Sequence, residues 1–136
     1  MSKYHNVKQT IDGIIFDSKR EADYYYTLKI FKMAGEINEI KPHPKFILQP
    51  GFWKCNKCNI IWGEDELKRG KCTFCGTKMP KISAITYSAD FCVTYKDGHI
   101  EIVDVKGIKT EAFKIKQKMF EFKYPELKLK VIGKGE

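Results

Sequence analysis

The chain has 136 residues, the size of one domain with one core. Apolar residues make up 43% and aromatic residues 13%, a composition that supports a packed interior and excludes a disordered chain. The net charge of +8 favours a polyanionic partner such as nucleic acid, although a merely basic surface would give the same value. No apolar run could cross a bilayer and no signal-peptide core opens the chain, so we expect an intracellular protein without a membrane partner.

The first elements predicted are a hairpin and a helix. Asp12-Gly13 is a strong turn dipeptide between two short apolar segments. The helix is expected over 18–34, because Ser18 and Glu21 have the spacing of a capping box and Gly35 is typical of the residue just beyond a helix. The stripe expected to face the core is Tyr24, Tyr25, Leu28 and Phe31.

The middle of the chain is rich in strand patterns. Extended segments are expected around 37–40 and 45–48, and residues 51–80 differ in composition and look like an insertion. Alternation of apolar and polar residues predicts one strand over 82–94. A turn at 96–98 then leads into a partner strand over 99–106.

A second helix and a last strand complete the predicted order. The helix is expected from its N-cap Thr110 to about residue 122, and the strand over 127–132. The helix residues expected to face inward are Ala112, Ile115, Met119 and Phe122. The order predicts a single α/β or α+β domain over 1–136, with helices flanking a mixed central sheet.

Two charged residues, Asp104 and Lys106, lie near the end of a predicted strand. They share a face with two isoleucines, where a carboxylate and an ammonium are costly unless they are paired or used. The predicted hairpin brings Asp90 alongside, and two carboxylates beside a lysine make a natural Mg²⁺ site. The lysine could then orient or deprotonate the attacking water. The structural alternatives are an ion pair for Asp104 and Lys106 and a half-exposed strand position for Asp90.

Glu21 is the third acid. It lies three and four residues before Tyr24 and Tyr25, which puts it on the inward stripe of the first helix, where a carboxylate is unexpected. Its place in the capping box is a strong structural alternative, and the local pattern alone favours it. Both interpretations stay open at this point.

Glu21, Asp90 and Asp104-Val105-Lys106, with thirteen residues between Asp90 and Asp104, together resemble the PD-(D/E)XK nuclease signature. The stretches DGIIFDSKREADYY, YSADF and VDVKGIKTEAFKIKQKMFEFKYP are similar to a family of small phage-encoded proteins in that superfamily. The similarity covers most of the chain outside 51–80. Ala89 replaces the proline of the motif, at a position that varies within the superfamily.

The resemblance implies a restriction-endonuclease-like α-β-β-β-α-β core and Mg²⁺- or Mn²⁺-dependent hydrolysis of DNA phosphodiester bonds. Asp90, Asp104 and Glu21 would be metal ligands, and Lys106 the catalytic base or a stabilising cation. Phage junction-resolving endonucleases share this four-residue site, which implies branched or junction DNA as substrate in phage recombination or replication. The implied location is the cytoplasm of a phage-infected or prophage-carrying bacterium.

Candidate DNA contacts come from the polar and basic residues near the second helix and in the insertion. The chain has only two arginines, which favours contact with the phosphate backbone over base reading. A solvated, lysine-rich surface is the alternative. The candidates are Lys109, Lys114, Gln117, Lys118, Lys57 and Arg69.

Four cysteines in two matched pairs predict a metal site. Cys55 and Cys58 form one Cys-x₂-Cys pair, and Cys72 and Cys75 form another after thirteen residues, which is the spacing of a Cys₄ zinc site. Four thiolates complete the coordination, so a structural Zn²⁺ is expected. The alternatives are two redox pairs or buried free thiols.

The insertion interleaves lysines with Trp53, Trp62 and Phe74, a pattern that suits a nucleic-acid backbone or an unstacked base. The alternative is that this segment makes protein contacts, for example with the second subunit of a homodimer. A second function therefore competes with the nuclease. It is a non-catalytic zinc-ribbon protein that binds nucleic acid, in which the acid cluster would be incidental.

Overall fold

The computed structural model describes residues 7–66 and 70–133. The chain divides into two compact units, 1–45 with 88–136, and 46–87. We call these the first and the second unit, and the predicted insertion 51–80 lies inside the second. The described elements in chain order are β1 Gln9–Ile11, β2 Ile14–Phe16, α1 Lys19–Met33, β3 Ile37–Pro42, β4 Lys45–Gln49, β5 Phe52–Lys54, β6 Ile61–Gly63, β7 Lys81–Ile82, β8 Ile85–Ser88, β9 Phe91–Tyr95, β10 Ile100–Val105, α2 Glu111–Lys123 and β11 Lys128–Ile132.

The predicted N-terminal hairpin is confirmed. Strands β1 and β2 pair antiparallel, with Ile11 opposite Ile14. Asp12 and Gly13 both have positive φ angles, 54° and 78°, as a two-residue type I′ turn requires.

The predicted ends of α1 are confirmed as well. The Ser18 hydroxyl accepts from the Glu21 N–H at 3.2 Å, and the Ser18 N–H donates to the Glu21 carboxylate at 3.0 Å. At the other end Gly35 has φ 85°, and the N–H groups of Gly35 and Glu36 donate to Lys32 O and Phe31 O. These two bonds form a Schellman motif, which ends the helix.

The inward face of α1 is centred on Glu21, Tyr25 and Leu28, which are buried. The prediction that Phe31 faces the core is wrong, since it is an exposed residue. At 100° per residue, Phe31 lies about a quarter-turn away from the buried row. The helical period was correct, but the centre of the face depends on the sheet against which the helix packs.

The main sheet of the first unit has four strands in the order β11-β10-β9-β3. Strands β10 and β11 run parallel, and the other neighbours are antiparallel, so the sheet is mixed as predicted. Side chains of α1, β2 and this sheet form the core, which includes Phe16, Tyr25, Leu28, Phe91, Val93 and Val103. Strand β10 lies between two neighbours and is buried over four consecutive residues, 101–104.

The β9–β10 hairpin forms as predicted, with Ile102 opposite Cys92 and Val103 opposite Phe91. The single strand predicted over 82–94 is wrong. The chain leaves β8 at Ser88 and enters β9 at Phe91, and the two strands belong to different sheets. Residues 89 and 90 connect the two strands. The alternation of polarity continues through these two residues, so the sequence pattern gives no sign of the break.

Helix α2 begins after its predicted N-cap, since the Thr110 hydroxyl accepts from the Phe113 N–H at 3.1 Å. Its predicted inward face is wrong. Phe113 and Phe120 are buried, whereas Ile115 and Phe122 are exposed. Phe113 and Phe120 are seven residues apart on one side of the helix, so the burial of these two phenyl rings sets the inward side of α2.

The second unit holds a three-stranded sheet, β6-β5-β7, and the pair β4-β8. Its small buried cluster consists of Cys55, Cys72 and Met79, with Trp53 and Trp62 packed against it. The chain is therefore a mixed α+β protein with two described helices and several sheets, and the restriction-endonuclease type of core stays a prediction. In the described part of the chain, no helix is long and apolar enough to span a bilayer.

Candidate functional site

Glu21 has two roles at once in the structure. Its carboxylate accepts from the Ser18 N–H within the capping box, and it lies close enough to Asp90 to raise the pKa of that acid. The residue is buried, on the inward side of α1. The two local interpretations of Glu21 are therefore compatible, because the residue that caps the start of α1 also lies close to Asp90.

Asp90 and Asp104 are neighbours at the open end of that hairpin. The Asp90 N–H donates to Val103 O at 3.0 Å, and the Asp90 carboxylate accepts from the Val105 N–H at 2.6 Å. These bonds place Asp90 beside the segment that contains Asp104. Both acids are buried, with 9% of Asp90 and 2% of Asp104 exposed. The hairpin brings them together as the sequence predicted.

The pKa of Asp90 is raised to about 9. Burial is the largest cause, followed by the hydrogen bond to Glu21, the charge of Glu21 and, more weakly, the charge of Asp104. The Val105 N–H acts in the opposite direction. Asp90 is thus close enough to both Glu21 and Asp104 to respond to their charges, and we call these three residues together with Lys106 the acid row.

Lys106 continues the row. Its ammonium lies 3.8 Å from the Asp104 carboxylate and 4.9 Å from the centroid of the Phe113 ring. About a third of the lysine side chain is exposed, in contrast to the buried acid beside it. The ion pair that was the structural alternative for these two residues is present, and it leaves the ammonium reachable from solvent.

Asp90 makes the stability of the metal-free protein depend on pH. An acid whose folded-state pKa lies above its unfolded value of about 3.9 contributes stability that is present at low pH and is lost as the pH rises through the folded value, here about 9. Asp90→Asn cannot ionise and keeps an oxygen for the Val105 N–H. We expect it to melt at a higher temperature than the parent at pH 9 in magnesium-free buffer, and near the parent at pH 5.

The matched control for this measurement is Asp17→Asn, which changes an exposed acid just before α1. Thermal unfolding followed by circular dichroism, without a chelator so that a metal on the cysteines is retained, compares the three proteins. If Asp90→Asn and the parent differ equally at both pH values, Asp90 is not the source of the pH dependence.

Sequence reasoning overlooked Arg20. Its guanidinium donates to Gly133 O at 2.7 Å and lies beside Gly107, where an added Cβ would be 3.5 Å from the guanidinium. Arg20, Tyr24 and Val105 are among the residues that line a cavity of about 210 Å³. A cation therefore lies next to the segment that follows Lys106. The sequence did contain a signal for Arg20, because it is one of only two arginines in the chain and directly precedes Glu21.

The four paired cysteines come together in the second unit. Their sulfurs all lie within 4.8 Å of one another, and none forms a disulfide. Cys55 Sγ and Cys75 Sγ are 3.6 Å apart. A tetrahedral zinc with Zn–S bonds of about 2.3 Å separates its sulfurs by about 3.8 Å. The four cysteines could therefore hold a metal such as zinc.

Local hydrogen bonds shift the pKa values of two of these thiols in opposite directions. The Cys58 N–H donates to Cys55 Sγ at 3.3 Å. Interactions with Thr77 lower the pKa of Cys75 to about 6, whereas the hydrogen bond with Cys75, followed by burial, raises the pKa of Cys58 to about 12. Four thiolates so close repel one another, and a divalent cation would relieve that repulsion.

The three acids are less tightly gathered than the cysteines. Within 7–66 and 70–133, the cysteines are the group of His, Cys, Asp or Glu residues that meets the spacing expected around a metal ion, and the acids do not. Glu21 and Asp104 each raise the pKa of Asp90, so all three acids influence one group although they do not meet at metal-ligand spacing.

The candidate DNA-binding residues are spread over both units. Lys109 and Lys118 are exposed, and Lys114 is exposed with its ammonium 3.4 Å from Glu111. Gln117 is half-buried on α2. In the second unit Lys57 is exposed in the first cysteine loop, and Arg69 lies outside the described residues.

Comparison with known proteins gives one family. The family model described as "Protein of unknown function (DUF1064)" matches residues 1–136, the whole chain. The chain belongs to the DUF1064 family. Comparisons with curated proteins and with solved structures gave no match. The description of this family names no activity.

Proposed function

We propose that the chain is a Mg²⁺- or Mn²⁺-dependent DNA endonuclease that hydrolyses phosphodiester bonds, with branched or junction DNA as its substrate. The observation that carries the proposal is the row Glu21, Asp90, Asp104 and Lys106, in which each side chain acts on the next. Three of the four come from separate places in the sequence. A purely structural protein gains little from three buried carboxylates, because each is costly to bury.

The donor set suits a hard cation. Mg²⁺ and Mn²⁺ take carboxylate oxygens, and Asp90, Asp104 and Glu21 would supply them. Burial and the neighbouring acids hold the pKa of Asp90 near 9. A bound cation would supply the positive charge that these carboxylates lack. When bound, the cation supplies Lewis-acid activation of the phosphate.

The chain's own residues would divide the remaining work. The Lys106 ammonium, partly exposed and anchored by Asp104, is placed to stabilise negative charge on a phosphate or to exchange a proton with the attacking water. The Glu21 carboxylate, fixed by the Ser18 N–H, would orient Asp90. Arg20, held by Gly133 O, supplies a second cation beside the segment that follows Lys106.

One observation favours a second candidate function, a non-catalytic zinc-ribbon protein that binds nucleic acid. In the part of the chain that the structure describes, the sulfurs of the cysteines gather as metal ligands do, and the three carboxylates do not. In that case the acid row would be a structural network, and the basic charge together with the zinc would account for the function.

The two candidates are separated by a cleavage assay with Mg²⁺ on linear, nicked, branched and four-way DNA of the same sequence. The nuclease proposal expects cleavage with Mg²⁺ or Mn²⁺ and fastest cutting of the branched substrates. Ca²⁺, which is larger and less exacting in geometry, should permit binding without cutting. Binding to all four DNAs without any cleavage in Mg²⁺ or Mn²⁺ would support the binder instead.

DNA binding should depend steeply on salt. The chain has 25 basic residues, nearly all lysines, and each lysine–phosphate contact releases counterions from the DNA. We expect the affinity to fall by about tenfold or more between roughly 50 and 200 mM salt. Fluorescence anisotropy titrations in Ca²⁺ measure it, and an affinity that stays level over this range would contradict a phosphate-directed contact.

A further inference from the structure

The second cysteine loop of the second unit presents a phenyl ring to solvent. Cys72 and Cys75 enclose Phe74, and the loop closes through the Cys72 N–H, which donates to Thr77 O at 2.9 Å. The Gly76 N–H also donates to Cys72 O, at 2.8 Å. Phe74 is 72% exposed at this tip. The backbone around the ring is thus fixed although the ring itself is uncovered.

The Phe74 ring rests on a second aromatic ring. Its centroid is 5.8 Å from that of Trp62, and the planes are nearly parallel, at 28°. Trp62 in turn packs against the buried cluster that contains Cys55 and Cys72. Phe74 is therefore held from one side and open on the other, which is the arrangement of a stacking platform.

Two lysines flank the second cysteine loop, one just before Cys72 and one just after Thr77. Lys71 and Lys78 face each other as partners in a β-bridge, and both are exposed. Like charges directly opposite one another destabilise a strand pair. The second unit as a whole carries seven basic residues against three acidic ones. An anionic ligand that reaches both ammonium groups would remove the repulsion.

We propose that Phe74 stacks on an unpaired base of a DNA strand whose neighbouring phosphates contact Lys71 and Lys78. Aromatic stacking recognises any base with an open face, and lysines that follow the backbone complete a site for single-stranded nucleic acid. Base faces inside a duplex are covered, so the site prefers single strands and unpaired branch points. The proposal takes DNA as its ligand from the proposed function, but it involves the second unit alone and requires no cleavage.

The test is binding without magnesium. The full chain, saturated with zinc, is titrated into a labelled oligothymidylate and into a duplex of equal length. Phe74→Leu, which keeps apolar bulk but has no ring, should weaken binding to the single strand by about tenfold and leave duplex binding nearly unchanged. Phe74→Tyr, which restores a ring, should recover the affinity. Phe122→Leu is the matched control, because Phe122 is 89% exposed on α2 of the first unit.

The contribution of Lys71 and Lys78 is measured separately, through the salt dependence of binding. Changing Lys71 and Lys78 together to alanine should lower the slope of log affinity against log salt by about 1.4 for the single strand, since each phosphate contact contributes about 0.7. Zinc content and resistance to limited proteolysis equal to those of the parent show that each variant is folded. If a variant fails that check, photocrosslinking of the parent to a strand with 5-iodouracil should give a crosslinked peptide that contains Phe74.

Three outcomes would overturn the proposal. Phe74→Leu could bind the single strand as the parent does, or it could lose affinity equally for single strand and duplex. It could also change the molecular mass in solution while DNA binding stays the same, which would make the Phe74 surface a protein interface. None of these readouts depends on cleavage, so a failure of the nuclease proposal remains a separate result.

Discussion

Lys106→Ala is expected to slow DNA cleavage by about 10²- to 10⁴-fold, the usual contribution of a positioned acid–base group, while DNA affinity in Ca²⁺ changes little. The ammonium lies 3.8 Å from Asp104 at the end of the acid row and is the member of the row most open to solvent. Asp104→Asn should have an equal or larger effect, because it removes a charged oxygen ligand from the expected cation. Single-turnover cleavage of a branched DNA measures both rates.

The same hairpin supplies matched controls at its other end. Lys96 and Asp97 are exposed in the turn between β9 and β10, and Lys96→Ala and Asp97→Asn change the same types of residue. Both control variants should cut DNA at close to the parent rate. Affinity measured in Ca²⁺ separates a loss of chemistry from a loss of binding. If Asp104→Asn cuts as fast as the parent, the acid row is not catalytic and the zinc-ribbon binder becomes the better account.

Local signals predicted the element ends well. The type I′ turn at Asp12-Gly13, the Ser18 capping box and the Thr110 N-cap are set by residues close in sequence, and the structure contains all three. The inward faces of the helices were predicted less well, because they depend on distant partners. Phe31 and Phe122 are exposed because the buried residues of each helix lie on a different side from the one that the apolar spacing suggested.

In the candidate site, too, the features set by nearby residues were predicted and those set by distant partners were not. The turn before Ile100 was enough to predict that Asp90 and Asp104 become neighbours, and the hydrogen bond from the Val105 N–H to Asp90 bears this out. The break between β8 and β9 was missed, because it arises from a change of pairing partner from β4 to β3 and β10. That break frees the Asp90 carboxylate to accept from the end of β10. The alternation of apolar and polar residues predicts a strand but not the neighbouring strand with which it pairs.

Removing the metal ligands should have a large effect on the second unit. Cys72→Ser is expected to abolish zinc binding and unfold residues 46–87, while the first unit keeps its helices. The described buried hydrophobic residues of the second unit are Leu48, Cys55, Cys72, Met79 and Tyr87, too small a core to fold alone. Zinc bound by four cysteines contributes about 10–16 kcal/mol in small peptides, more than enough to decide whether such a unit folds. Metal analysis, tryptophan fluorescence and limited proteolysis are the measurements.

Cys92→Ser provides the control, because Cys92 is the fifth cysteine and lies on β9 of the first unit, outside the metal-spacing group. The control protein should carry one zinc per chain, as the parent should. In Cys72→Ser the fluorescence of Trp53 and Trp62 should shift to that of solvent-exposed indole, and new protease cuts should fall within 46–87. Helical circular dichroism should persist, since α1 and α2 both belong to the first unit. Parent protein prepared reduced and without zinc that still resists protease in 46–87 would show that the four cysteines fold without a metal.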